Sequence, residues 1–184
     1  MDTIQIKVNP KGLSASLSRD FDLTEIINGK EVMGPSPFFK HQDVVFNLGF
    51  ILKAYVKKNN LGKVSISPLD VILEEGVNRM QPDLLFIKKE NMWIIKEWIR
   101  GVPDMVCEIV SQGSYTRDTI IKKEIYESYK VPEYWIVIPE LSTIEILTLE
   151  DGKYQPFSIA EGEGVVKSNV ISGFEVEIKD VFEE

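Results

Sequence analysis

The chain has 184 residues, 43% hydrophobic and 27% charged, a balance that excludes a disordered polypeptide and suits a soluble protein with a core of ordinary size. A net charge of −8 and a pI near 4.9 oppose strong nonspecific binding to nucleic acid, whose affinity grows with the number of Lys and Arg contacts to phosphate. The lone Cys107 cannot form an internal disulfide, and no apolar run reaches the ~20 residues of a membrane span; a cytoplasmic protein that does not enter membranes is expected.

Residues 1–20 are weakly patterned apart from Ile4 and Ile6 and read as an N-terminal arm, with one α/β domain expected over 21–184. Asn28-Gly29, within Thr24 to Met33, marks a tight turn, either after a short helix or between two strands. Beyond the Gly34 to Pro37 loop, Val44, Val45, Leu48, Ile51, Leu52, Tyr55 and Val56 form one apolar stripe, which predicts a long helix from Phe38 to Lys58. Gly62 is then expected to take the left-handed conformation that closes such a helix.

Val64 to Ser67, Asp70 to Leu73 and Gln81 to Ile87 read as strands, and 88–102 fits a short helix or a hairpin equally. Pro103 to Val110 is apolar on both faces, as in the centre of a covered sheet. A helix is predicted from Thr116 or Arg117 to Lys130, with Ile121, Ile125 and Tyr129 as its apolar stripe. Strands follow at Glu133 to Ile138, Thr143 to Leu149, Tyr154 to Ile159 and Phe174 to Ile178, with Asp151-Gly152 as a hairpin turn. The order implies a mixed central β-sheet flanked by helices.

Glu108 lies inside Met105-Val106-Cys107-Glu108-Ile109-Val110, where an ionisable group needs a partner: a metal, a catalytic neighbour or a structural Lys or Arg. Asp83 begins another strand and can lie beside Glu108 if the two strands are neighbours. Asp104 shares a strand with Glu108 but sits ~13 Å away at ~3.3 Å per residue, too far to chelate the same ion. On the following helix Asp118, Lys122 and Tyr126 recur at i, i+4, i+8, with Lys122 flanking the apolar face and Lys123 turned to solvent. Two carboxylates, a hard divalent cation and an ammonium are the inventory of a phosphodiesterase. Glu25 and the single histidine, His41, are further candidates to line such a site, though a helix-surface role suits Glu25 equally and packing or helix capping suits His41 better. No phosphate-binding glycine loop or Gly-x-Ser-x-Gly elbow occurs.

These residues resemble the Uma family of putative restriction endonucleases, a mostly bacterial branch of the PD-(D/E)XK nuclease superfamily. The matching stretches are Glu25 to Lys30 with His41-Gln42, Gln81-Pro82-Asp83-Leu84, Gly101 to Ser111, Arg117-Asp118 with Lys122 and Tyr126, Val131 to Trp135, and Gly173 to Val176. The resemblance implies a restriction-endonuclease-like core in which Asp83 and Glu108, with a main-chain carbonyl beside Glu108, bind magnesium or manganese. It places the lysine at Lys122, because the position two after Glu108 is Val110. A DNA endonuclease acting as a homodimer follows, with a catalytically silent DNA-binding or protein-interaction module and a hydrolase of small phosphate esters as the other readings. Lys122→Ala is expected to abolish cleavage with little change in melting temperature, and Lys123→Ala to do neither.

Overall fold

The computed structural model describes residues 23–34, 36–111 and 113–183; the N-terminal arm expected over 1–20 lies outside them. In chain order the elements are β1 (Thr24–Ile27), β2 (Lys30–Met33), α1 (Phe39–Lys58), β3 (Gly62–Ile66), β4 (Val71–Glu74), β5 (Asn78–Met80), β6 (Leu84–Lys88), β7 (Ile99–Arg100) and β8 (Met105–Ile109). A π-helical turn at Arg117–Lys122 leads into α2 (Lys123–Ser128). Then come β9 (Glu133–Ile138), β10 (Thr143–Glu150), β11 (Lys153–Glu161), β12 (Val165–Lys167), β13 (Glu175–Glu177) and the single turn α3 (Lys179–Phe182). The ambiguous stretch after β6 is a 3₁₀ helix over Lys89–Ile94 followed by β7.

The central sheet is mixed, in the order β11-β10-β9-β8-β6-β3. Only β8 and β9 run parallel; the other pairs are antiparallel. Alternation along β8 sends Met105, Cys107 and Ile109 into the core beneath α1, and Val106 and Val110 into the core on the other face. That pattern explains why the strand reads as continuously apolar: both of its faces are covered. On one side the cover is the Val44, Val45, Leu48, Leu52 and Val56 face of α1 together with the C-terminal Phe174, Val176 and Val181. On the other it is α2 and a second sheet, ordered β2-β1-β5-β4-β7, which adds a layer beyond the flanking helices expected. Among the described residues no helix is long and apolar enough to cross a membrane.

The structure decides one local alternative and corrects one local expectation. Asn28 and Gly29, at φ 51° and 75°, join β1 to β2 as a strand hairpin, not as the end of a helix. At the end of α1 the left-handed residue is Asn60, at φ 54°, while Asn59 Nδ2 donates to Tyr55 O at 2.9 Å. Gly62 instead opens β3 where the chain passes close to β6: a Cβ there would stand 2.0 Å from the Ile87 carbonyl oxygen. The glycine is required by close backbone approach, a demand that carries no local sequence signature beyond the glycine itself.

Candidate active site

β6 and β8 are neighbours, with Leu84 opposite Cys107 and Leu85 opposite Val106. One further step in that register sets Asp83 opposite Glu108. The two carboxylates arise where the strands part, Asp83 just before β6 and Glu108 one residue from the end of β8, so their side chains open into a cleft of about 340 Å³. Asp83 Oδ2 accepts the Ile109 N–H at 2.8 Å and lies 3.3 Å from His41 Nε2 on α1. The histidine thus reaches the site from the first turn of the long helix.

Glu108 is buried. Its Oε1 accepts from Tyr126 Oη at 2.8 Å and Lys122 Nζ at 3.0 Å, and its Oε2 lies 3.1 Å from the same ammonium. Lys122, 3% exposed, also lies 2.9 Å from Glu25 Oε1 and 3.8 Å from Asp118 Oδ1. Glu25 comes from β1 and is held by the Gln81 N–H at 2.8 Å. One ammonium therefore ties the hairpin, the central sheet and the π-helical turn together. Lys123 is only half-buried and has no part in this network.

The turn carrying Lys122 departs from the regular helix used to read the sequence. A π-helical turn is wider than an α-helical one, and here it leaves Ile121 exposed while burying Asp118 and Lys122. The inward stripe is thus Asp118, Lys122, Ile125 and Tyr126, a correction to the stripe that began at Ile121. Tyr134 Oη donates to the Asp118 carbonyl at 2.7 Å, anchoring the turn to β9. Asp104 lies apart from the cleft: its carboxylate accepts the Lys88 N–H and Asn91 Nδ2, each at 2.7 Å, a loop-fixing role in keeping with its distance from Glu108.

Among the described residues four carboxylates, Glu25, Asp83, Glu108 and Asp118, line the cleft against two permanent cations, Lys122 and Arg117. Burial raises the Glu108 pKa well above its ordinary value; Lys122 opposes this, while Asp118, Asp83 and Glu25 add to it. Asp118 is raised for the same first reason, burial, against the pull of Lys122. Burial draws the Lys122 pKa down, but Glu108, Glu25 and Asp118 outweigh it and hold the ammonium above its ordinary value. The His41 pKa is likewise lowered by burial and raised further by Asp83 and Asp118, for a net increase. Counted over those residues, the cleft holds more negative than positive charge.

Among the described residues no three His, Cys, Asp or Glu side chains close into a ready-made metal cage. A hard ion such as magnesium does not need one, since it keeps several waters and takes one or two carboxylates. The surplus of carboxylates over cations fits one divalent ion, and Asp83 and Glu108 could hold it. Tyr126, Gln81 and Arg117 were not assigned to the site from sequence. The i+8 spacing of Tyr126 from Asp118 was the available signal, but a tyrosine at that spacing is read first as core.

A family profile described as "Putative restriction endonuclease", named Uma2, matches residues 19–179. No curated protein matches the chain. Among solved structures the chain is similar to a protein of Anabaena variabilis described as a putative nuclease belonging to DUF820, with a TM-score of 0.68 at 20% identity, covering 86% of this chain and 89% of that one. At that identity the likeness establishes a shared fold.

Proposed function

We propose that this chain, which belongs to the Uma2 family of putative restriction endonucleases, is a magnesium- or manganese-dependent DNA endonuclease of the cytoplasm. The observation that carries the reading is the convergence of Asp83, Glu108 and the buried ammonium of Lys122 in one cleft at the parting ends of β6 and β8. Buried ionic groups cost folding energy and gather where chemistry uses them.

Asp83 and Glu108 would hold the ion, which when bound supplies Lewis-acid chemistry to phosphate and water. Asp83 is prepared for this by the Ile109 N–H and His41, which fix Oδ2 and leave Oδ1 for a ligand. Lys122 stays protonated, because three carboxylates surround it, so it serves as a fixed positive charge and not as a general base. Its role is to offset negative charge developing on the transferring phosphate and to orient the nucleophile. Tyr126 fixes the Glu108 rotamer through its 2.8 Å bond, and Glu25 with Asp118 hold Lys122 in place. A cut through both strands of a duplex would take two copies related by symmetry.

The test is cleavage of DNA with magnesium or manganese at low ionic strength, where screening is weakest. Glu108→Gln, which keeps the shape and removes the charge, should lower the cleavage rate by at least ~100-fold, the scale seen when a preorganised charge is removed from an active site. Equal residual cleavage by wild type and variant would identify a contaminant and leave the silent-module reading in its place.

A further inference from the structure

The outer face of α1 carries an unusual sequence of exposed groups. Phe39, Phe46 and Phe50 are 83%, 70% and 67% exposed, and Lys53 and Lys57 follow. At 100° per residue Phe46, Phe50 and Lys57 fall within about 20° of Phe39, and Lys53 within about 40°. The five therefore form one ridge, about 27 Å long at 1.5 Å per residue. Exposed aromatic rings in a row are not ordinary surface, and they mark a binding face.

The ridge is continuous with the cleft. Gln42 and Val45 line the pocket that holds Asp83 and Glu108, and the same two residues line a shallow groove with Phe39, Phe46 and Ile66. At its other end the ridge meets a group of lysines. Lys58 follows Lys57, and the Lys89 N–H donates to Leu61 O at 2.9 Å, which brings Lys88 and Lys89 beside the end of α1. None of Lys53, Lys57, Lys58, Lys88 and Lys89 takes part in the ion pairs found among the described residues. On a chain of net charge −8 that is a local concentration of lysines outside those ion pairs.

We propose that this ridge is the track along which a nucleic-acid strand leaves the cleft unpaired, its bases stacked on Phe39, Phe46 and Phe50 and its phosphates drawn to the lysines beyond. The proposal rests on the nuclease reading for its substrate class and adds the form of the strand. Phenyl rings offer no hydrogen bond to phosphate and can stack only on bases freed from a duplex, whereas aromatic platforms beside basic residues suit single strands of any sequence. Asp43, on the groove wall, repels phosphate there and leaves that stretch to bases. The length of the ridge agrees with site sizes of ~4–16 nucleotides.

The experiment measures fluorescence anisotropy of a labelled single-stranded oligonucleotide with metal-free protein at low salt, alongside hydrolysis of a small chromogenic phosphodiester with manganese. Phe46→Ala/Phe50→Ala and Lys53→Glu/Lys57→Glu should each weaken strand binding roughly tenfold or more. Only the lysine pair should flatten the salt dependence, and a duplex of the same sequence should be indifferent to the phenylalanine pair. Turnover of the small diester, which is too short to extend from the cleft along the ridge to Phe46 and beyond, should be unchanged in both. Unaltered strand affinity in the phenylalanine variant overturns the proposal. So does a wild-type dimer that the same variant splits in sedimentation, since a second copy would then occupy the ridge. Absence of diester turnover with intact strand binding would instead count against the nuclease reading and leave the ridge standing.

Discussion

Lys122→Ala is expected to abolish any DNA cleavage and, in contrast to the expectation from sequence, to lower the melting temperature by roughly 10 °C. Helical spacing alone puts Lys122 on the flank of a helix, where its removal costs little. In the structure the ammonium is buried between Glu108, Glu25 and Asp118, and its loss leaves three carboxylates facing one another. Removing one partner of a buried ionic group costs about 3–5 kcal/mol, and at ~2–4 °C per kcal/mol for a chain of this size the fall in melting temperature follows. The deficit depends on pH with a definite sign. Burial and mutual repulsion raise the folded-state pKa values of Glu108 and Asp118, and more so without Lys122, so their ionisation destabilises the fold as pH rises. The gap between variant and wild type should therefore be widest at neutral pH and close as pH falls toward the ordinary carboxylate range. Lys123→Ala should change neither property. A Lys122→Ala protein that melts with wild type at neutral pH would mean that the ammonium does not compensate the carboxylates.

Glu133→Ala is expected to be the most destabilising substitution away from the cleft. Glu133 is fully buried, and its carboxylate accepts four bonds: from Trp135 Nε1 and Ser168 Oγ at 2.7 Å, the Asn169 N–H at 2.6 Å and the Val170 N–H at 3.1 Å. The last three donors pin the segment after β12 to the end of the central sheet, above the core that holds Trp135 and Phe174. Truncation leaves them without an acceptor at about 1–3 kcal/mol each where they remain buried, so a loss of about 4 kcal/mol or more is expected by urea unfolding. Glu133→Gln, which retains one acceptor oxygen, should lose less. A Glu133→Ala protein within 1 kcal/mol of wild type would show that the segment finds other acceptors.

Much of the cleft was legible in the chain because its parts obey short-range rules. A carboxylate at the start of one apolar strand and another inside the next can meet only if those strands are adjacent, and the β6–β8 register makes them so. Lys122 was found by helical spacing, and Lys123 was set aside by the same spacing, even though the turn is π-helical and the stripe beside it was misread at Ile121. What the sequence withheld depends on long-range docking. Glu25 was balanced between site and surface, since nothing near it says that the hairpin folds over Lys122. Glu133 read only as the start of a strand, because three of its four donors, Ser168, Asn169 and Val170, come from 35 to 37 positions later. β5 and β12, three residues each, are too short to show a period. Gly62 was given a capping role when its purpose is to admit the Ile87 carbonyl.

The bond between Lys122 and Glu25 has a consequence in time. Its partners are separated by 97 positions (25 to 122), and the hairpin that supplies Glu25 must wait for the second sheet to settle before Lys122 is aimed. Contacts so distant along a chain form late, because the loop they close must first be ordered. A half-folded or newly made chain thus carries the candidate site residues without their alignment. In a refolding experiment, cleavage should return after the far-ultraviolet dichroism of α1 and together with protection of the β1 amides from hydrogen exchange; cleavage that returned with the helix would break that order.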